Sequence, residues 1–367
     1  QRVPILDIIS HYISLKKIGY YWKGQCPFHD EKTASFTVSP HKEIFYCFGC
    51  QMGGDVISFV AKIENCSQFQ AVKQLADKYS IELPESFSDE SFRDLDTKKR
   101  FFALHEVVAE WAHQVLLKTP TVLEYLARRK FSLASIERFK IGYFPEHERA
   151  IKDLSNYSSR HNFLLKDLIE AGILHDGKSL YSPFEDRLLF PIRDHWGNYC
   201  GFGGRVIQPD DQRSKYYNSR EHIFFQKGSL LFGFDAAKKE IQKTGIVFLV
   251  EGYTDCIALH QHGYSNTVAT LGTACTHEHL KQLSAHAHTL YVLYDSDSAG
   301  QKATLRLAQM CWEVNLDIKV IMIPDAKDPA SFFETQTDLQ PAIDQAQDIL
   351  YFFLMSLGSD FSSKPLT

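Results

Sequence analysis

Residues 246–255 read IVFLVEGYTD and residues 289–297 read TLYVLYDSD, and the class of fold follows from these two stretches. Each is a short apolar run of the kind that forms a buried strand, followed at once by acidic residues. From residue 244 onward the pattern predicts strands at residues 246–250, 266–271, 289–294 and 317–324 and helices at residues 254–262, 276–285 and 298–314. Strands that alternate with helices in this way form a parallel sheet covered on both faces.

The acids lie where ligands bind in such sheets, just beyond the carboxyl ends of the strands. Glu251 ends the first strand, Asp295 and Asp297 end the third, and Asp255 follows one helical turn after Glu251. Two aspartates spaced by one residue in an extended chain point the same way, and oxygen-only ligands suit Mg²⁺ or Mn²⁺. The alternative is structural, because Asp297 could cap the next helix and Glu251 could complement a helix dipole. Occurring together on one sheet edge, the acids favour a metal site.

A second metal site is predicted near the N-terminus, where CPFH at residues 26–29 and CFGC at residues 47–50 are separated by seventeen residues. Pairs of ligands with two residues between them form the two knuckles of a tetrahedral zinc site, here Cys26, His29, Cys47 and Cys50. Strand-like runs between them indicate a zinc ribbon with one structural zinc ion. The alternative is three buried thiols and a core histidine. The other cysteines are interpreted as structural: Cys66, Cys200, Cys256, Cys275 and Cys311.

The middle of the chain is predicted to be helical from residue 98, with Ser132 as a helix cap, and then to form a hairpin of strands at residues 187–193 and 199–207. The run GFGGR at residues 201–205 invites comparison with a phosphate-binding loop. Its spacing does not fit one, so a glycine-containing strand is predicted instead. Arg129, Arg205, Lys215 and Lys227 lie near glycines or turns, and each alone is more often a surface charge than a phosphate ligand.

The composition of the chain excludes several classes of protein. The chain has 367 residues, of which 44% are hydrophobic, with 27 Phe and 17 Tyr, so it can build real cores and is not disordered. Apolar runs of about five residues are too short for a bilayer span, and no signal peptide is visible, so a cytoplasmic protein with no membrane partner is expected. The net charge is −5, but residues 241–367 hold seven Lys and Arg against fourteen Asp and Glu. The total charge therefore neither supports nor excludes a nucleic-acid partner.

The predicted fold class is a multidomain α+β and α/β protein. The predicted domains are a zinc-ribbon domain at residues 1–85, a linker at 86–97, a mixed α+β part at 98–243, a parallel-sheet α/β subdomain at 244–340, and the start of a helical part at 341–367. The chain begins with Gln1 rather than Met, so we expect it to be a piece of a longer protein.

Taken together, these motifs resemble bacterial DNA primase, and the acidic domain resembles the Toprim fold of that family. The motifs that carry the resemblance are CPFH and CFGC, EGYTD at 251–255, LGTA at 271–274, DSD at 295–297, RLLFPIR at 187–193, GFGGR at 201–205 and KYYNS at 215–219. They extend over nearly the whole chain.

The resemblance implies an enzyme that synthesises short RNA primers from ribonucleoside triphosphates on single-stranded DNA. It implies that Glu251, Asp295 and Asp297 hold the catalytic Mg²⁺ or Mn²⁺, with Asp255 beside them. The basic positions that it implies for template or nucleotide phosphates are Arg129, Arg205, Lys215 and Lys227. It also implies a partnership with the replicative helicase, through a region that does not fit into residues 341–367.

One position departs from the family pattern, which has Asp-Pro-Asp after the last sheet strand. Here Asp328 and Pro329 are followed by Ala330, so Asp328 is carried over as a metal ligand and nothing is expected of Ala330. Two other functions stay open: a Toprim nuclease or topoisomerase, and a zinc-ribbon module that binds single-stranded DNA without catalysis. Phe45, Tyr46 and Phe48 either stack on unpaired bases or form the core of the ribbon.

Overall fold

The structure is a computed structural model that describes residues 3–356, except residues 30, 32, 65, 67, 82, 84–88, 147, 209, 311, 313, 324, 325 and 327, and except the side chains of residues 89–96. Cys311 and the start of the predicted linker therefore lie outside the described residues. Internal contacts divide the chain into two compact units, Gln1–Leu95 and Asp96–Thr367. None of the described helices has the length and apolarity that a bilayer span requires.

The first unit is a small antiparallel sheet with short helices. Its elements are α1 (Ile5–Ser10), β1 (Lys16–Ile18), β2 (Tyr21–Gly24), β3 (Phe36–Ser39), β4 (Ile44–Cys47), β5 (Gly53–Gly54), α2 (Val56–Ile63) and α3 (Gln68–Tyr79). The strands pair in chain order, from β1 to β5. Phe36 and Phe45 stack on the inner face, with ring centroids 5.1 Å apart, and Phe59 of α2 packs against both rings. Helix α3 adds Ala71 and Leu75 to this core.

The second unit begins with helices and a four-stranded antiparallel sheet. Its first elements are α4 (Asp89–Leu117), α5 (Pro120–Arg128), α6 (Leu133–Arg138), β6 (Gly142–Phe144), α7 (Glu148–Ser159), α8 (Leu165–Glu170), β7 (Arg187–Arg193), β8 (Tyr199–Val206) and β9 (Tyr216–Asn218). Helix α4 occupies residues 89–97, where the sequence predicts an irregular linker. The helix therefore begins earlier than predicted. Among the side chains of α4 that the structure describes, the first buried one is Leu104, so the helix extends beyond its buried part. Ser132 caps α6 as predicted, because its hydroxyl accepts a hydrogen bond from the Ser135 amide.

The predicted hairpin is the centre of the antiparallel sheet, in which the strand order is β6-β7-β8-β9. The GFGGR run lies inside β8, as the strand prediction requires. Gly203 is needed there because a Cβ at this position would lie 2.7 Å from the hydroxyl oxygen of Tyr253, well inside van der Waals contact. Strand β8 therefore lies closer to the Tyr253 side chain than a residue with a Cβ would permit.

The parallel sheet follows and confirms the predicted α/β architecture. Its elements are α9 (Phe234–Thr244), β10 (Ile246–Val250), α10 (Tyr253–Gln261), β11 (Thr267–Ala269), α11 (His277–Ser284), β12 (Thr289–Leu293), α12 (Ser298–Met310), β13 (Asp317–Val320), α13 (Pro329–Thr335), α14 (Gln340–Asp344), β14 (Gln347–Asp348) and α15 (Ile349–Ser356). The strand order is β11-β10-β12-β13-β14, and all pairs are parallel except the last. Strand β13 ends at Val320, four residues before the predicted end.

Both faces of this sheet are buried. Successive residues of β10 point to opposite sides, so that Val247 and Leu249 join one core cluster and Phe248 and Val250 join another. The second cluster also contains Phe190 of β7, so the antiparallel and parallel sheets share one continuous core. The carboxyl ends of β10 and β12 are consequently held at a fixed place beside the hairpin sheet.

Candidate metal and nucleic-acid sites

The acids that follow β10 and β12 meet at one edge of the parallel sheet. The Asp295 amide donates a hydrogen bond to Glu251 Oε1 over 3.3 Å, because the two strands are parallel neighbours with Val250 opposite Leu293. Asp297 Oδ1 accepts hydrogen bonds from the amides of Ala299 and Gly300, each 2.9 Å long. Asp297 therefore caps the next helix through one of its oxygens, as the structural alternative predicted. The residue also lies at the acidic edge.

Two further acids complete the group. Asp255 lies in the first turn of α10 and is 6% exposed, and its Oδ1 accepts a hydrogen bond of 3.1 Å from the Ala330 amide. Asp328 caps α13, since its Oδ1 accepts a 2.7 Å hydrogen bond from the Ser331 amide. Ala330, which replaces the family's second aspartate, thus contributes a backbone donor to Asp255 but no carboxylate.

Like charges act on one another across this edge. Burial raises the pKa of Glu251, and the negative charges of Asp295 and Asp297 raise it further. Burial, followed by the charge of Asp328, raises the pKa of Asp255 to about 7. A bound cation would reduce the repulsion between these buried carboxylates. Because all the possible ligand atoms are oxygens, the group suits a hard divalent ion.

Cationic side chains face the acids across a cavity of about 240 Å³. Arg129, Arg205 and Lys215 line it together with Glu251, Asp255, Asp295 and Asp328. Arg205 is only 6% exposed, and its Nη1 donates a 2.6 Å hydrogen bond to the Tyr125 hydroxyl. The Nε atoms of Arg129 and Arg205 are buried and have no hydrogen-bond partner. A phosphate group entering the cavity would therefore meet donors that the protein leaves unused.

Two of the residues singled out from the sequence do not line this cavity. Lys227 lies elsewhere, where its Nζ is 4.0 Å from Glu221 Oε1 and its backbone oxygen is 3.1 Å from His279 Nε2. Asp297 lies at the acidic edge but is exposed and outside the cavity wall. The structure brings together the remaining predicted acids and cations of the second unit.

Asn218 and Tyr253 are site residues that the sequence analysis did not assign. The Tyr253 hydroxyl donates a 2.6 Å hydrogen bond to Asn218 Oδ1, and Asn218 Nδ2 donates one of 2.6 Å to the Leu271 carbonyl. Asn218 ends β9 of the hairpin sheet, whereas Tyr253 is the first residue of α10 and Leu271 lies in the loop after β11. This bridge therefore fixes the cations of one sheet against the acids of the other. The available signal was the KYYNS motif, which contains Asn218.

The predicted zinc ligands form a compact cluster in the first unit. The ligand atoms of Cys26, His29, Cys47 and Cys50 all lie within 4.8 Å of one another. Cys26 Sγ is 3.9 Å from Cys50 Sγ, and Cys47 Sγ is 3.9 Å from His29 Nδ1. Bonds of about 2.0 to 2.3 Å to a central zinc ion separate tetrahedral ligands by somewhat less than 4 Å, so the cluster fits the ion. It is the one such group of His, Cys, Asp and Glu ligands among the described residues.

Glu31, which the sequence analysis overlooked, supports this cluster. Its Oε1 accepts hydrogen bonds from the amides of Cys26 at 2.7 Å and Ser35 at 3.1 Å. Its Oε2 lies 3.4 Å from His29 Nε2 and accepts a short hydrogen bond from the Ser35 hydroxyl, whose oxygen is 3.1 Å from Cys47 Sγ. One carboxylate thus touches the surroundings of three ligands and orients the imidazole so that Nδ1 faces the sulfurs.

The aromatic side chains near the second knuckle divide between the core and the surface. Phe45 is 2% exposed and belongs to the core, whereas Tyr46 is 41% and Phe48 is 70% exposed. Tyr46 and Phe48 line an open cavity of about 430 Å³ together with Tyr21, Lys23 and Lys42. The core alternative therefore holds for Phe45, whereas base stacking stays a prediction for the exposed Tyr46 and Phe48.

Three family models match consecutive parts of the chain. They describe a CHC2 zinc finger at residues 1–91, the N-terminal domain of a DNA primase catalytic core at residues 111–238, and a Toprim-like domain at residues 248–333. Together they cover the zinc ligands, the hairpin sheet and the acidic edge.

Two DNA primases are similar to this chain in sequence. The DNA primase of Clostridium acetobutylicum is 40% identical over 330 residues, which are 89% of this chain and 54% of that protein. The DNA primase of Aquifex aeolicus is 35% identical over 336 residues, 91% of this chain and 65% of the relative. The chain thus spans between about half and two thirds of the length of these relatives.

Solved structures agree with the sequence comparisons. The zinc-binding and RNA polymerase domains of the Aquifex aeolicus primase are 32% identical, with a TM-score of 0.64 over 99% of this chain and 87% of that one. A primase catalytic domain bound to single-stranded DNA is 29% identical, with a TM-score of 0.64 over 72% of this chain and 84% of that one.

Proposed function

This chain belongs to the bacterial DNA primase family, and on that premise we propose that it joins ribonucleoside triphosphates into short RNA primers on a single-stranded DNA template. The single observation that carries the proposal is the cavity in which four acids at the edge of the parallel sheet face three cations. Nucleotidyl transfer requires both: acids that hold divalent ions, and cations that receive the charge of a triphosphate.

We assign the metal ligands to the acidic edge. Glu251, Asp295 and Asp297 are the proposed catalytic ligands, with Asp255 and Asp328 beside them. When bound, Mg²⁺ or Mn²⁺ would lower the pKa of the attacking 3′-hydroxyl and neutralise charge on the departing pyrophosphate. The protein's own contribution is positioning, since Asp295 is anchored to Glu251 through its amide and Asp255 through the Ala330 amide.

The cations of the cavity are proposed to hold phosphates. Arg205 is the best placed, because it is buried, held by Tyr125, and has an Nε without a partner. Arg129 and Lys215 line the same cavity. Lys227 is proposed to contact the template outside the cavity, consistent with its separate position.

The zinc ribbon is proposed to bind the template through its exposed face. Tyr46 and Phe48 present aromatic rings to solvent, and Lys23 and Lys42 lie on the same cavity wall. Rings stack on unpaired bases of any sequence, and nearby ammonium groups attract the phosphates between them. The proposed zinc ion is structural, because all four of its coordination positions are taken by side chains of the chain.

The decisive experiment is a priming assay with labelled ribonucleotides on single-stranded DNA, in which Asp295→Asn is compared with the unaltered chain. Loss of at least a hundredfold in product is expected, because the substitution removes a ligand charge while keeping the shape of the side chain. Asp153→Asn is the matched control, since Asp153 is an exposed helical acid of α7.

Two results would contradict the proposal. Cleavage of the template in place of product growth would identify a Toprim nuclease. Template binding without any nucleotide incorporation by the unaltered chain, under all divalent ions tried, would identify a binding module.

A further inference from the structure

A second cavity of about 450 Å³ lies beside the catalytic one and is not used by the proposed mechanism. It is built from α5, from β6, from the residue before β7 and from the chain that follows β8. Its polar lining consists of Thr121, Tyr125, Arg128, Arg129, Tyr143, Asp186 and Gln208. Its volume is in the range of small-molecule sites.

The two cavities share a wall. Arg129 lines both of them, and Tyr125 of the second cavity accepts the hydrogen bond from Arg205 of the first. A molecule that lies in the second cavity can therefore reach toward the catalytic acids past Arg129.

The charge of the second cavity suits an anion. It holds two guanidinium groups against one carboxylate, Asp186, whose Oδ1 already accepts a 2.8 Å hydrogen bond from the Tyr143 hydroxyl. The buried Nε of Arg129 has no partner, and within the described residues Arg128 makes no ion pair. Guanidinium groups with unused donors are the preferred protein ligands of phosphate.

The chemistry of starting a chain supplies a ligand for such a site. Two nucleotides must be held at once when no primer exists. The 3′-oxygen of the first forms a bond to the α-phosphorus of the second, the bond from that phosphorus to the β-phosphate bridging oxygen breaks, pyrophosphate leaves, and the hydroxyl proton passes to solvent. The first nucleotide keeps its own triphosphate. That group repels the triphosphate of the second and needs cations of its own.

We propose that the second cavity binds the 5′-triphosphate of the first nucleotide, with Arg128 and Arg129 as its phosphate ligands. The inference rests on the proposed function and deepens it, because it separates the site of initiation from the site of extension. Arg128 is the specific residue of the initiation site, since it does not line the catalytic cavity.

The test compares two reactions of the full chain carrying Arg128→Gln. In dinucleotide synthesis on single-stranded DNA, the KM for the first nucleotide is expected to rise about tenfold, as the loss of one charged phosphate contact predicts. In extension of a pre-annealed RNA primer with a 5′-hydroxyl end, the rate is expected to stay within about twofold. Arg128→Lys should restore part of the KM. Arg149→Gln is the control, because Arg149 is 84% exposed and pairs with Asp153 on α7.

A second readout uses the initiator itself. The unaltered chain should favour a nucleoside triphosphate over the corresponding nucleoside as first nucleotide, and Arg128→Gln should reduce that preference about tenfold. An unchanged preference, or an equal loss in initiation and extension, would overturn the inference. The proposed function fails separately, if the unaltered chain extends no primer at all.

Discussion

The zinc-ligand cluster and the acidic edge are both built to hold cations, but they are organised differently. In the first unit, four sulfur and nitrogen atoms lie within 4.8 Å of one another, supported by Glu31. In the second unit, the described carboxylates form no comparably tight group, and burial together with mutual repulsion raises the pKa of Glu251 and Asp255. Converging ligands that enclose an ion are typical of a structural site, whereas the more widely spaced acids are typical of a site that leaves coordination positions for a substrate.

The largest effect is expected from a change of a zinc ligand. Cys47→Ser should abolish the folded structure of the first unit, because zinc binding contributes about 10–16 kcal/mol to folding in small zinc modules. Hydrogen exchange should become fast in β2, β3 and β4 and stay slow in β10 and β12. Cys66→Ser is the control, since Cys66 lies in the same unit but outside the cluster. Retained protection in Cys47→Ser would show that the ribbon folds without its ion.

The second prediction is that a substitution at the acidic edge lowers activity but raises stability. Glu251→Gln should lower primer synthesis at least a thousandfold, equivalent to about 4 kcal/mol, and yet raise the thermal midpoint of the second unit by a few degrees. The reason is that the substitution removes one of several mutually repelling charges. Activity and thermal unfolding are measured on the same preparation, with Glu240→Gln as the control, because Glu240 of α9 pairs with Lys243 and does not line the acidic cavity. A fall in the midpoint would contradict the contrast drawn between the two regions.

The third prediction concerns pH. The folded chain holds the Asp255 proton up to about pH 7, whereas the ordinary pKa is 3.8, so between these values the unfolded chain has released a proton that the folded chain keeps. The free energy of unfolding should therefore fall as pH rises through this window, by roughly 4 kcal/mol in all, and level off above about pH 7. Urea unfolding from pH 5 to pH 7.5 measures the slope, which should be smaller in Asp255→Asn. Equal slopes in the two chains would disprove the assignment.

The smallest expected effect is that of Glu31→Gln on the zinc cluster. Neutralising this carboxylate should weaken zinc affinity about tenfold, the lower end of the range for residues that orient metal ligands. Competition with a chromophoric chelator measures the affinity, and Asp77→Asn on α3 is the control because it is exposed in the same unit. If affinity is unchanged, the contacts of Glu31 serve only the backbone.

The sequence was sufficient wherever function follows from local spacing. The zinc ligands come in pairs with two residues between them, and the acids directly follow apolar strands. Both groups could therefore be found without coordinates. The cap of α6 was predicted in the same way, since the Ser132 hydroxyl accepts a hydrogen bond from the Ser135 amide.

Features that depend on packing between distant segments could not be found. Arg205 reads as a surface cation, but the meeting of two sheets leaves it 6% exposed. Glu31 reads as a solvated acid between two knuckles, and its contacts exist only after both knuckles have folded around it. Strand β14 has two residues and pairs antiparallel at the sheet edge, which is too short for any periodicity.

Gly203 shows how a residue without a functional group can govern catalysis. It allows β8 to lie against Tyr253, and through Tyr253 and Asn218 the hairpin sheet is tied to the loops that bear the acids. Even a methyl group there would push β8 away from Tyr253 and so separate the hairpin sheet from the acidic edge. In a deep mutational scan, this position should tolerate as little change as the acids themselves, although it carries no side chain.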